Sequence, residues 1–239
     1  MVRRLPPSAT AYRAGETPWD RSVQEKGPLG EILSKQRRLT VGALKGRTIN
    51  NLIDLGCGTG EVLDELIRLP GIKKAMAVDV NEAAMKVAMQ RIGKNPMWQK
   101  VDFLEADLQQ LGLGGRTFDA AVCLDVLSEV PDVASTLGAV HRLLKPGGFF
   151  VTNFVARERS DELVRTRHGW LKFLMLKARF TAGLLCSFNE DLFSRFGRTG
   201  IVRLMPYTRE DSTALVSPLF RILRTDSDFY HWFLLEKPK

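Results

Sequence analysis

The stretch Ile53–Gly60, IDLGCGTG, sets three glycines within five positions directly behind the strand-like run TINNL (48–52). Glycine is needed where a side chain would block a close backbone approach or where φ is positive. A turn of this kind between a strand and the helical pattern EVLDELIRL (61–69) belongs at the carboxyl edge of an open α/β sheet, a favoured place for ligands. The spacing also restricts the ligand. A dinucleotide fingerprint, G-x-G-x-x-G, arrives at Glu61 when counted from Gly56 and at Leu63 when counted from Gly58, so it fails both times. No Gly-Lys-Ser/Thr follows, as a phosphate-cradling loop requires, and Asp54 and Glu61 at the mouth oppose a pyrophosphate. The turn suits a nucleotide-like ligand without phosphate, preferably a cationic one.

Outward from this turn, strand and helix signals alternate. KKAMAVDV (73–80) reads as a strand, and NEAAMKVAMQRI (81–92) as a helix capped by Asn81. MWQKVDFLEAD (97–107) approaches a third strand, and FDAAVCLDVL (118–127) is almost wholly apolar, as expected where helices cover both sheet faces. A helix over DVASTLGAVHRLLK (132–145) is expected to stop at Pro146 and Gly147–Gly148, before a fifth strand, FFVTNF (149–154). Repeated strand and crossover helix makes a mostly parallel sheet. Upstream, PLGEILSKQRRLTVGAL (28–44) has helical spacing, with Pro28 suited to the first turn. TREDSTALVSPLF (208–220) opens a late helix at Thr208, with Asp211 as its box partner, and RILRTDSDFYHWFLLEKP (221–238) supplies two closing strands antiparallel to one another. The expected division is an arm over 1–27 and one domain over 28–239, interrupted by an apolar and basic helical insertion at 157–203.

Composition bounds the function. At 239 residues, 44% hydrophobic and 26% charged, the chain has the make-up of one globular domain. It shows no long apolar segment and no basic-then-apolar leader, which points to a cytoplasmic protein. Three cysteines, Cys57, Cys123 and Cys186, stand too far apart for a CxxC zinc site, and no metal is expected. The net charge of +8 collects in 1–50 and 157–203, around a slightly acidic centre. That distribution fits either ordinary solvated surface or a basic rim steering an anionic substrate.

Two carboxylates sharpen the reading. Asp79 ends the second strand, where it can accept from both ribose hydroxyls, and Asp107 would end the third, within reach of an adenine amine. Together with the turn, NLIDLGCGTGEVL, MAVDVNEAAMKVA, FLEADLQQL, FDAAVCLDVLSEVPD and HRLLKPGGFFVTN, running in order over about residues 49–153, resemble the successive motifs of class I S-adenosylmethionine-dependent methyltransferases. The resemblance implies a Rossmann-like three-layer sandwich with a seven-stranded, mostly parallel sheet, the seventh strand entering antiparallel beside the fifth. It implies S-adenosyl-L-methionine as cofactor and S-adenosyl-L-homocysteine as product. Asp54 and the backbone of Gly56, Cys57, Gly58 and Gly60 would surround its amino-acid part. Asp79 with Val80 would take the ribose, Asp107 with Leu108 the adenine, and Cys123, Leu124 and Asp125 the methionine side. YRAGETPWD (12–20) resembles the entry segment of thiopurine- and tellurite-type small-molecule methyltransferases, which implies Trp19 near the cofactor.

Methyl transfer from a sulfonium is an in-line displacement, so alignment and exclusion of water are the main demands, and a base is needed only for a poorly acidic acceptor. Glu129 is the first candidate for orienting or deprotonating an acceptor, and His168, in the insertion, the second; Asp125 and Ser128 lie on the same segment as Glu129. His231 is read as structural or exposed, and His141 as a surface residue. The insertion WLKFLMLKARFTAGLL (170–185) mixes apolar and basic residues, as would a lid over a small, mainly apolar acceptor, an interfacial helix in peripheral contact with lipid, or a dimer contact. The expected cavity is closed and apolar, bounded by 125–131, the lid and Tyr207. An RNA or protein methyltransferase is the alternative, although LDVLS after the fourth strand departs from the Asn/Asp-Pro-Pro-aromatic segment of base amino-group methylases. A scaffold that binds the cofactor without transfer is another. The chain would act as a monomer or homodimer.

Overall fold

The computed structural model describes residues 28–108, 111, 113, 115, 117–159 and 205–239. The N-terminal arm with Trp19, and the 160–204 part of the insertion with His168 and Cys186, lie outside the described residues. Numbered among those described, the elements run α1 (Pro28–Leu44), β1 (Asn51–Leu55), α2 (Glu61–Leu66), β2 (Lys74–Asp79), α3 (Glu82–Gly93), β3 (Val101–Glu105), β4 (Phe118–Cys123), α4 (Val133–Leu143), β5 (Leu144–Val155), α5 (Arg209–Val216), β6 (Arg221–Ser227) and β7 (Tyr230–Glu236). The strands form one seven-stranded sheet in the order β3-β2-β1-β4-β5-β7-β6. β1 to β5 pair in parallel, and β7 lies antiparallel between β5 and β6.

Alternating side chains divide the core into two layers, because successive residues of a strand face opposite sides. Leu52, Ala75, Ala77, Ala120, Val122, Val151, Trp232 and Leu234 pack with Leu44, Leu63, Leu66, Met85 and Ile92 on one face. Ile53, Met76, Val78, Ala121, Cys123, Phe150, Phe233 and Leu235 pack with Leu137, Val140, Val216 and Phe220 on the other. Both faces are thus covered, which explains why β4 is almost wholly apolar and β7 is apolar throughout Trp232–Leu235.

Local signals worked where a specific bond enforces them. The Asn81 side chain accepts from the N–H groups of Ala83 and Ala84 at 3.0 and 3.2 Å, capping α3. Thr208 and Asp211 form a full reciprocal capping box on α5. The end of α4 differs from expectation: the helix stops at Leu143, and the strand already begins at Leu144. Leu144 pairs with Phe118 and Phe149 with Ala120, so Lys145–Gly148 are accommodated as an irregularity. Gly147 takes φ +76 there, and its N–H donates to Lys237 O at 2.9 Å. The Pro-Gly-Gly run therefore shapes a bulge inside the strand rather than a loop before it.

Two tethers position parts of the site. α1 is held by Trp232 Nε1, which donates to Thr40 Oγ1 at 3.1 Å, and by Lys35, 2.8 Å from Asp226. The described residues on either side of 160–204 meet beside β5, where Tyr207 N donates to Val155 O at 2.9 Å and Arg157 N to Tyr207 O at 2.8 Å. No helix among the described residues is long and apolar enough to cross a membrane.

Candidate active site

Strand order reverses between β1 and β4, and the carboxyl ends of strands at such a switch open a crevice. A cavity of about 370 Å³ lies there, within the usual range for small-molecule sites. Gly56, Cys57 and Gly58 bring the turn to its wall, Asp79 and Val80 follow β2, Asp107 and Leu108 follow β3, and Leu124 and Asp125 follow β4.

The turn is wound by its own backbone. Gly56 N and Cys57 N both donate to Val78 O, at 2.7 and 3.0 Å, which draws the turn against the end of β2. Gly56 and Gly58 have φ of +76 and +52. A Cβ on Gly56 would stand 2.2 Å from Val126 Cγ2, whereas one on Gly58 would meet nothing within 4 Å. The first glycine is required by packing, and the second leaves its backbone open. Gly58 N donates to Asp79 Oδ2 and Asn81 N to Asp79 Oδ1, each at 2.8 Å, so the carboxylate is fixed by the turn it faces.

The wall is acidic. Asp54, Glu61, Asp79, Asp107, Asp125 and Glu129 all line the cavity, with Arg37 the cation among the lining residues. Glu61 is partly neutralised by Arg91 at 3.1 Å and Arg37 at 3.5 Å. Asp54 is 3% exposed, and its carboxyl is pushed up to about 7, first by burial and then by the charge of Asp79. Burial also raises Asp79, against the lowering effect of the N–H groups of Asn81, Gly58 and Val80. The Cys57 thiol is pushed up by burial and by Asp54 and Asp79, so it is an uncharged wall group, its sulfur 3.5 Å from that of Met85. A cation entering this cavity relieves the crowding of carboxylates.

Several residues expected at the site are placed elsewhere. Cys123 is fully buried in the core beside Ile53, because the strand alternation turns it inward; Leu124 and Asp125 form that part of the wall. Gly60 caps α2 at φ 78, and a Cβ there would press on Ala88 at 3.1 Å, so it serves helix packing and is not among the lining residues. Ser128 is 2% exposed and accepts from Val155 N at 2.9 Å, a structural bond. Tyr207 is absent from the cavity wall and packs its ring 5.2 Å from that of Phe154. His231 is buried between Ser227 Oγ and Tyr207 O, each at 3.2 Å. His141 is half-buried, its ring 5.4 Å from Phe220 in an edge contact, where a surface position was expected. Glu129 does line the cavity, beside Val126, Val130 and Pro131.

Sequence reading missed the contribution of α1, whose Leu33, Gln36 and Arg37 close one side. The available signal was the polar pair Gln36–Arg37 between the apolar Leu33 and Leu39. Gln36 is 5% exposed, and its Nε2 has no hydrogen-bond partner among the described residues. Such a buried donor at a cavity wall fits a ligand that brings an acceptor. With the open backbone at Gly58, the fixed Asp79 and the acidic surround, the donor set fits S-adenosylmethionine.

Comparison with known proteins agrees. Residues 53–152 match the model of a family described as "Methyltransferase domain". The chain is 36% identical over 141 residues to a ubiquinone biosynthesis O-methyltransferase from Azotobacter vinelandii, covering 56% of each chain. It is 30% identical over 106 residues to a ubiquinone/menaquinone biosynthesis C-methyltransferase from Coxiella burnetii, covering 44% of this chain and 42% of that one. The matched part thus spans about half the length of these relatives. In fold, it is similar to the N-methyltransferase NodS from Bradyrhizobium japonicum, solved with S-adenosyl-L-homocysteine, at a TM-score of 0.62 and 17% identity over 97% of each chain. The family model covers the glycine turn and the ends of β1, β2, β3 and β4 that wall the cavity, so this part of the chain is similar to a methyltransferase domain.

Proposed function

We propose that the chain transfers a methyl group from S-adenosylmethionine to a small, mainly apolar acceptor, releasing S-adenosylhomocysteine. The observation that carries this reading is a cavity with two kinds of lining: the glycine turn locked to Asp79 and, next to it, the apolar Leu124, Val126, Val130 and Pro131 with Glu129 among them. The names of the aligned relatives, which act in quinone biosynthesis, support an apolar acceptor of that size.

When bound, the cofactor supplies a methyl carbon already made electrophilic by its sulfonium. In this reading Asp79, with Val80, holds the ribose, and Asp107 with Leu108 the adenine. Asp54 and the Gly56–Gly58 backbone hold the amino-acid end, with Asp125 at the methionine side. The apolar wall seats the acceptor and excludes water, so that donor and nucleophile meet in line. Glu129 orients an acceptor hydroxyl or amine and takes its proton where the acceptor is poorly acidic.

The test is transfer of labelled methyl from S-adenosylmethionine into pooled small metabolites, RNA and protein offered in parallel. Label in the organic-extractable metabolites is expected; label confined to RNA or protein overturns the acceptor class, and none anywhere overturns transfer. Asp79→Ala is expected to weaken S-adenosylmethionine binding strongly, and an unchanged dissociation constant by calorimetry removes that residue's role.

A further inference from the structure

Asp125 is the one non-glycine residue with positive φ, at 60°, among the described residues, and it lies on the cavity wall. An L-residue does not rest there without support, and such conformations concentrate at functional sites. The support comes from Asn153, on β5, which is 1% exposed. Its Oδ1 accepts from Asp125 N at 2.7 Å, and its Nδ2 donates to Asp125 Oδ1 at 3.0 Å. One side chain thus grips both the backbone and the carboxylate of the same residue. The second hydrogen of Nδ2 goes to Gln36 Oε1 of α1. The Asp125 N–H can only donate and so sets Oδ1 toward itself, and the bond to Gln36 holds the amide plane in that orientation.

We propose that Asn153 is a positioning residue for the cofactor cavity: oriented by Gln36, it holds Asp125 in the left-handed conformation that presents its carboxylate at the wall. The inference rests on the methyl-transfer reading for the identity of the ligand, but its geometry belongs to this chain's own residues. A strand with both faces buried gains nothing from a polar side chain unless each of its groups is paired. Asn153 is fully paired, and two of its three bonds go to one wall residue. α1, the element that closes the cavity, thereby acts on Asp125 through a buried amide.

The test is a double-substitution cycle on the full chain with Asn153→Ala, Asp125→Gly and the pair. Glycine adopts the left-handed region without cost, so residue 125 no longer needs a grip. Binding of S-adenosylhomocysteine is read by calorimetry and the unfolding equilibrium by urea titration. In the native background, Asn153→Ala is expected to raise the dissociation constant at least about tenfold, equivalent to ~1.4 kcal/mol. In the Asp125→Gly background the same substitution is expected to change it by no more than about twofold, the limit of independent sites. Equal losses in the two backgrounds mean that Asn153 supports the sheet only, and overturn the proposal, as does an unchanged constant in the native background. If the unsubstituted protein binds no S-adenosylhomocysteine, the functional reading fails instead. The unfolding cycle then decides the grip alone: a shift from Asn153→Ala that shrinks beside glycine upholds it, and equal shifts overturn it.

Discussion

Gly56→Ala separates the packing demand on the glycine turn from its ligand-binding role. Two costs apply. The left-handed conformation, φ +76, costs alanine about 1–2 kcal/mol. The new Cβ, placed 2.2 Å from Val126 Cγ2, forces an overpacking adjustment worth about 1–3 kcal/mol. Valine is stiff about its first side-chain torsion, so the methyl yields by backbone movement or by turning toward the cavity it already lines. Urea unfolding is expected to show a loss of about 2–5 kcal/mol, the sum of the two costs. Gly58→Ala, at φ +52 with nothing within 4 Å, is expected to show only the conformational part in the same assay. Val126→Ala removes the obstructing methyls. The double variant is therefore expected to be more stable than Gly56→Ala alone, although Val126→Ala by itself costs about 1 kcal/mol. Strict additivity of Gly56→Ala and Val126→Ala, or a Gly56→Ala loss no larger than that of Gly58→Ala, would refute the packing argument.

Asp54 makes a pH prediction with a defined sign. Burial, and then the charge of Asp79, push its folded carboxyl up to about 7 from the 3.8 of an ordinary aspartate, so the folded protein retains a proton that the unfolded chain has released. Unliganded stability is expected to fall as pH rises from about 4 through about 7, by up to ~4 kcal/mol, and to level off above; urea midpoints across that range check it, and Asp54→Asn should flatten the slope. For the same reason, binding of the sulfonium is expected to tighten as pH rises through about 7 with release of protons, more than binding of the uncharged thioether product does. Calorimetry in two buffers of different ionisation enthalpy measures the protons directly. Asn81→Ala removes the two cap bonds to Ala83 and Ala84 and is expected to cost about 1 kcal/mol by thermal unfolding, whereas Asn81→Asp retains most of it.

The chain's local patterns determined the ladder of strands and helices, the glycine turn and the acids at successive strand ends. Those features are written in contiguous residues: the unbroken apolar run of β2, a cap at Asn81, a box at Thr208, and a turn whose backbone bonds reach the neighbouring strand. Even the antiparallel pair at the C-terminus was legible, because both strands are read from one uninterrupted stretch. The bulge at Lys145–Gly148 was misread for the converse reason. Whether Pro-Gly-Gly ends an element or kinks a strand depends on residues far off in the chain: Asp119, whose carboxylate accepts from Lys145 Nζ at 2.7 Å, and Lys237, whose carbonyl accepts from Gly147 N.

Only the tertiary structure decided which of the plausible site residues share a wall. Cys123 and Leu124 are adjacent in sequence, yet one is core and the other faces the cavity, since the strand's alternation has meaning only once both sheet faces are covered. Gln36 comes to the site from a helix that ends at Leu44, well ahead of the turn, and docks on Trp232 through Thr40. Asn153 was visible as a polar residue in the apolar run FFVTNF, but its partners are 28 and 117 positions away. A hydrogen bond has no sequence signature at such separations; it exists because β4 and β5 pair in parallel and α1 docks beside them, bringing the buried Gln36 and Asn153 to the cavity-lining Asp125.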